Sequence, residues 1–438
     1  MPSRPFPYRS TGTPSFDLTS MSPDLVKAEE IRQEAFTKSR ELQIALNHAR
    51  QKVESGASEV ALDDLTNLVG EVAPSPSSRT PRQANLSHRV EDFCRFQAFE
   101  HFLSTGSLIA PSSCSYATDE EYLAGACMGL CQDLSRYGMG RATARDVESV
   151  AAARNLVQEL LDYLLKFDFR NGPLRRKYDG TKYALKSLET ILYELSITGA
   201  TETGQEPLTK KQKLDNLPVK ELENIRKNME SRDEMRERLI KRCRDGQKAA
   251  KQAIYALHRG DTQKADKLLT QCEEAIIQDL LPIVDEEPPL RSGSFSNVME
   301  EWVEAKLFRV WLLGEDEKTQ AASPSGIILH MKDFKIPLEP EEYLGGLCDL
   351  TGEIGRFAVQ RGTARDVDGV KQCLDASNSI QSAIQNLERF PGGVGKKMDQ
   401  LRRTVEKMER MLYEMSLSEA AGGRKVDSEE VQMEVKDD

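Results

Sequence analysis

Nowhere in these 438 residues do 18 apolar residues run together, which excludes a transmembrane helix. Alternating apolar and polar runs of strand type are missing as well, which removes a β-sandwich or barrel from consideration. The eight cysteines are scattered without a pairing pattern, so no disulfide framework is expected. Only Cys127 and Cys131 are close neighbours. Their spacing suits one helix face better than a zinc knuckle, and no histidine lies near them. Reduced thiols in an intracellular protein are the plain expectation. An excess of positive charge is lacking too: 71 acidic side chains face 60 basic ones, for a net charge of -11. Such a chain does not coat itself in nucleic acid by net charge, so any nucleic-acid site must be a local basic patch or lie in an enclosed cavity. Residues 1–20 hold one acid, Asp17, among Ser, Thr, Pro and Arg. No amphipathic apolar face supports a transit peptide there. A disordered tail is expected, with Met21 as an alternative start.

What is present points to helices. Hydrophobic residues make up 39% and charged residues 30%, the balance of helices with wide solvated faces. The length calls for two or three domains. An internal repeat supplies two of them. Thr143-Ala144-Arg145-Asp146-Val147 recurs as Thr363-Ala364-Arg365-Asp366-Val367, and Leu192-Tyr193-Glu194 as Leu412-Tyr413-Glu414, both shifted by 220 residues. Glu120-Glu121-Tyr122-Leu123 recurs as Glu341-Glu342-Tyr343-Leu344, shifted by 221. The expected architecture is all-α: two tandem antiparallel helical bundles, over 21–198 and 217–419. A linker over 199–216 joins them and an acidic disordered tail over 420–438 follows. Lys210-Lys211-Gln212-Lys213 in the linker reads as a solvated stretch, with a nuclear-import signal as the alternative. The chain is accordingly expected in the cytoplasm, with nuclear presence as the alternative, and with no membrane partner.

Long charge-rich helices are predicted over 26–54 and 221–258, and strongly apolar ones near 90–103 and 298–313. Asp119 is the predicted N-cap of one EEYL helix, and Pro340 sits in the first turn of the other. The two TARDV segments read as Asp-bearing turns or caps without chemistry. Two acidic pairs stand out: Glu301 with Glu304, and Asp349 with Glu353, each spaced to share a helix face. Such pairs are common on solvated faces. Glu301 and Glu304 nonetheless lie among Val298, Trp302, Val303, Phe308 and Trp311, where an uncompensated carboxylate is costly. Four carboxylates without Cys or His suit Mg²⁺, or Mn²⁺, and not zinc.

The stretch Gly172–Tyr183, ending in Tyr193-Glu194-Leu195-Ser196-Ile197, resembles the last helix of translin. Asp349-Leu350-Thr351-Gly352-Glu353 and Pro391-Gly392-Gly393-Val394-Gly395-Lys396-Lys397 resemble the translin-associated factor Trax. The resemblance implies a translin-like half followed by a Trax-like half of the translin/Trax family. It also implies a Mg²⁺-dependent endoribonuclease for single-stranded RNA, with single-stranded DNA as an alternative ligand. Four chains would form an eight-bundle shell. Glu301, Glu304, Asp349 and Glu353 match the family's catalytic, metal-holding acids. In the first half Asp92 and Arg95 fall at the positions of Glu301 and Glu304. The other acids become Met128 and Gln132, or Gly129 and Asp133, depending on a one-residue offset. That half is read as catalytically inactive and nucleic-acid-binding, through His88, Arg89, Arg95, Arg175, Arg176 and Lys177. A solvated charged face stays open as the alternative. The competing function is a non-catalytic binder of single-stranded RNA or DNA.

Overall fold

Why the motifs recur becomes visible in a computed structural model of the chain, which describes residues 16–54, 62–72, 84–198, 216–314 and 324–420. Residues 199–215 of the expected linker with its lysine-rich stretch, residues 1–15, and residues 421–438 of the expected acidic tail lie outside the described residues. Among the described residues every regular element is a helix, and none is long and apolar enough to cross a membrane. The principal helices are α1 (Ser22–Glu54), α2 (Leu62–Val72), α3 (Ala84–Thr105), α4 (Asp119–Tyr122), α5 (Leu130–Thr143), α6 (Val147–Leu164) and α7 (Pro173–Ile197). After them come α8 (Val219–His258), α9 (Thr262–Ala275), α10 (Leu281–Glu286), α11 (Ser294–Leu313), α12 (Pro340–Thr363), α13 (Val367–Gln385) and α14 (Gly392–Ala420).

The repeated motifs are helix starts. Thr118 caps α4, its side chain accepting from the Glu121 amide while Glu121 reaches back to the Thr118 amide. Glu339 and Glu342 close the matching box on α12, behind Pro340. The N-cap is therefore Thr118 and not Asp119 as the sequence suggested, because the second acid of the EEYL motif is the reciprocal partner and needs a cap three residues earlier. The motif's tyrosine is buried in both copies. Tyr122 donates to the Ile109 carbonyl at 2.6 Å and Tyr343 to the Leu329 carbonyl at 2.8 Å. Asp146 and Asp366 cap α6 and α13, and the residues before them, Arg145 and Arg365, turn with φ of 59° and 56°. The TARDV segments are structural, as expected.

The one-residue offset also has a physical form. Between α4 and α5 the chain runs through a π-helical segment, Leu123–Gly129, whereas α12 is uninterrupted. A π-bulge absorbs one extra residue inside a helix. It restores the register downstream, so that Gly129 and Asp133 correspond to Asp349 and Glu353.

Two compact units result, with boundaries that differ from the expected 21–198 and 217–419. The described residues of the first unit fall within 29–238 and 287–289, and those of the second within 16–28, 239–286 and 290–420. A 40-residue helix is about 60 Å long, more than one core can cover. Leu222 and Ile225 of α8 accordingly sit in the first core, and Leu239, Cys243 and Ile254 in the second. Residues 16–20, expected in a disordered tail, are folded: Leu18 is buried in the second core and Phe16 stacks on His330 at 5.1 Å. Apolar burial won over a composition that read as tail-like. All eight cysteines are buried and free, and burial raises the Cys127 and Cys131 thiols above their ordinary range.

Candidate carboxylate site and its counterpart

In the second unit α11 and α12 cross closely because Gly346 has no side chain: a Cβ there would meet the Glu300 carbonyl oxygen at 2.7 Å. This approach brings the acids of the two helices together. Glu304, in the apolar body of α11, is 8% exposed. Burial, with the charges of Asp349, Glu353 and Glu301 added to it, pushes its carboxyl up to about 9, against a partial offset from Lys397. Three of the four acids named from the sequence thus act on the fourth, Glu304.

Three cations, Lys397, Lys251 and Arg356, and one histidine face them. Lys397 of α14 bridges Asp349 and Glu300, at 2.6 Å from each. Burial alone would lower the Lys397 ammonium, but its two carboxylate partners outweigh this and raise it. Lys251 of α8 pairs with Glu301 at 2.9 Å, and that bond raises its ammonium. His258, at the end of α8, meets Glu353 through Nε2 at 2.5 Å, and Arg356 stands 3.8 Å from the same acid. The His258 side chain is 2% exposed, packed against Phe308, with Nδ1 buried and unpartnered. The ring is thus held by a single polar contact, from Nε2 to the Glu353 carboxylate.

From the sequence alone His258 reads as an ordinary packing residue, and Glu300, Lys251 and Lys397 do not stand out. The only signal is that Glu300 precedes the Glu301/Glu304 pair and that Lys397 closes the glycine-rich motif. Helical spacing also puts Glu342 in the sector of Asp349 and Glu353. It instead pairs with Arg291 at 2.8 Å and belongs to the helix cap.

The donor set suits a hard divalent cation. Its excess of negative charge, seen in the raised Glu304, is what such an ion would neutralise. As the side chains stand, however, no three His, Cys, Asp or Glu groups among the described residues could share one ion. Lys251 and Lys397 hold the counter-charge, and both stand on flexible four-carbon stems.

The first unit repeats the frame with other chemistry. Lys177, the counterpart of Lys397, forms an ion pair with Glu91, the counterpart of Glu300. Arg95 stands in place of Glu304. It donates to both oxygens of Asp133, at 2.6 and 2.5 Å. Gly129 replaces Asp349, and a Cβ there would meet the Arg95 side chain at 2.9 Å. Of the other residues proposed to hold nucleic acid, Arg89 pairs with Asp92 at 2.7 Å and His88 with Glu91 at 3.3 Å. Arg175 pairs with Asp179 at 3.3 Å. Arg176 is exposed without an ion pair among the described residues. Most of this basic cluster therefore neutralises the chain's own acids. Arg95→Ala is expected to lower unfolding stability by about 1–3 kcal/mol, since Asp133 would keep a half-buried charge without its bidentate partner. It should leave the salt dependence of RNA binding unchanged. Chemical denaturation and binding titrations at several salt concentrations check both; a shallower salt slope would restore Arg95 as a phosphate contact.

The duplicated frame decides the family, because the model of one family, described as the Translin family, matches it twice, over residues 27–199 and 234–419. The chain belongs to the translin family. Among its relatives, a translin-associated protein X homolog of Schizosaccharomyces pombe is 26% identical over 201 residues, covering 42% of this chain and 82% of the relative. Human translin is 35% identical over 80 residues, 18% of this chain and 35% of translin. Mouse translin-associated protein X is 25% identical over 224 residues, 44% of this chain and 77% of its own. The chain thus spans about a third of the length of the translin it matches. Of solved structures, AfC3PO in complex with duplex RNA is 22% identical with a TM-score of 0.38, covering 45% of this chain and 98% of that one.

Proposed function

We propose that the second unit is a Mg²⁺-dependent endoribonuclease for single-stranded RNA, and that the first unit is a non-catalytic partner of the same frame. One observation carries this reading: Glu301, Asp349 and Glu353 gather around a buried Glu304 whose charged form they disfavour. A protein core does not assemble such repulsion for stability alone, since uncompensated buried charge is costly. Mg²⁺ bound there would polarise a water and neutralise charge on the scissile phosphate. The chain's own residues do the rest. His258 holds the Glu353 carboxylate from the side away from solvent. Lys251 and Lys397, displaced from their acids, are placed to meet phosphate oxygens. Glu304 holds a proton that its surroundings favour and that a bound divalent cation would displace into solvent.

Labelled single-stranded RNA incubated with the purified chain should be cut internally with Mg²⁺ and stay intact with EDTA. The same sequence as a duplex should be cut more slowly. Intact RNA under every metal condition, with binding retained, would favour a non-catalytic RNA-binding protein.

The proposal extends to assembly. The resemblance implies eight bundles around one interior, and this chain supplies two of them. Four chains of 49.1 kDa would give a particle of about 196 kDa by light scattering. A stable monomer that cuts RNA would remove the shell and leave the carboxylate site standing.

A further inference from the structure

α8 carries more basic residues than its ion pairs hold, and two of the unpaired ones, Arg244 and Lys248, share a face with Lys251 and Tyr255. Taking 100° per residue, Arg244, Lys248, Lys251 and Tyr255 fall within about 60° of one another around the helix, and Arg259 follows directly after its last residue. All five are exposed. Arg244 and Lys248 form no ion pair among the described residues, whereas the neighbouring Arg242, off this stripe, is held by Asp245 and Asp279. Arg244, Lys248, Lys251 and Tyr255, with Gln247 and Gln252, line a shallow open groove of about 400 Å³. The Tyr255 ring is 53% exposed, and the Arg259 guanidinium lies over it, 5.4 Å from its centre.

The stripe ends at the carboxylates. Lys251 belongs to it and also pairs with Glu301; His258, one residue before Arg259, turns inward to Glu353. Four acids alone would repel a phosphodiester. A polyanion can reach them only if cations of the surrounding surface hold it, and this face supplies them in a line about 22 Å long. Cations interleaved with an exposed aromatic ring bind single strands, phosphates on the cations and a base on the ring.

We propose that Arg244, Lys248, Tyr255 and Arg259 form a track for a single-stranded nucleic acid, with Lys251 passing the strand to the carboxylate site. The track rests on the reading of that site as one for RNA, and it moves the main nucleic-acid contact from the first unit to the second.

Anisotropy of a labelled 20-residue oligouridine, in EDTA so that nothing is cut, tests it on the full chain over a range of salt. The DNA oligomer of the same length and a polyglutamate of the same charge serve as competitors. Arg244→Gln with Lys248→Gln should weaken RNA binding and flatten its salt slope by about 0.7 for each phosphate no longer neutralised. Tyr255→Ala should weaken binding about tenfold at fixed salt with the slope unchanged, and Tyr255→Phe should restore it. All three positions are exposed, and an unchanged circular dichroism spectrum would confirm folding. Competition by the DNA oligomer places the recognition in phosphate and base; its failure adds the ribose hydroxyl, and either result leaves the track in place. Wild-type affinity and slope in the double variant, or polyglutamate competing as well as RNA, would overturn the track. Because no cleavage is read, loss of the nuclease reading with binding intact would leave the stripe result interpretable.

Discussion

Asp349→Asn and Glu304→Gln are each expected to reduce Mg²⁺-dependent RNA cleavage about a thousandfold while RNA binding and helix content stay near wild type. Each exchange keeps the side-chain volume and replaces one potential carboxylate ligand of a set of four by a neutral amide. The charge stabilisation a bound divalent cation gives a phosphoryl centre is several kcal/mol, and each 1.4 kcal/mol is tenfold in rate. The two changes should differ in one respect. Asp349→Asn leaves Lys397 with Glu300 as its remaining acid partner, whereas Glu304→Gln leaves both Lys397 ion pairs in place. Equal loss of activity from both therefore points to the carboxylates, not to the ammonium. Single-turnover cleavage with saturating enzyme measures it, and wild-type rates in the double variant would remove the assignment. The reverse experiment should fail: Gln132→Glu cannot build a site in the first unit, because Arg95 stands where Glu304 would be and Gly129 where Asp349 would be. Gln132 itself donates to the Gly180 carbonyl at 3.0 Å, one residue short of the aligned position held by Asp133.

Much of the frame was legible in the sequence because its signals are local. A capping box, a buried tyrosine and an Asp cap each need only a few consecutive residues, so Glu121-Tyr122 and Asp146 reveal themselves through their copies Glu342-Tyr343 and Asp366. The acids were legible as pairs, since three- and four-residue spacings share a helix face. That the two pairs meet depends on α11 and α12 crossing at Gly346, and a contact across helices leaves no periodic trace. His258 was missed for the same reason. Its partner is 95 residues away and its ring sits among apolar side chains, where a histidine looks like packing. The basic residues of α3 and α7 show the complementary case. Their charge is visible in the sequence, but Glu91, Asp92 and Asp133, which hold most of it, are identified only by the fold. Composition marks where apolar periodicity stops; it does not show that α8, which follows the expected linker, divides its apolar residues between two cores.

The unfolding stability of the metal-free protein should carry a pH signature that belongs to Glu304 alone. Its carboxyl is pushed up to about 9 in the folded protein, against 4.5 for an ordinary glutamate. Between those values the folded chain holds a proton that the unfolded chain has released. Stability from this group is therefore fully present below about pH 4.5, falls as pH rises, and levels off above about 9, where both states are ionised. The slope can reach ~1.4 kcal/mol per pH unit. Other groups titrate as well, so the quantity to measure is the difference between wild type and Glu304→Gln, whose neutral amide has no proton to lose. By denaturant titration in EDTA, the variant should gain on wild type steadily from pH 5 to pH 8. Mg²⁺ should act in the opposite sense: binding displaces the proton, so the ion stabilises wild type more at pH 8 than at pH 5.5 and releases a proton that a weakly buffered titration detects. A difference curve flat across this range would mean that Glu304 is ionised in the fold and that the repulsion around it is already relieved by Lys251 and Lys397. The carboxylates would then be a closed ion-pair network with no need of a metal.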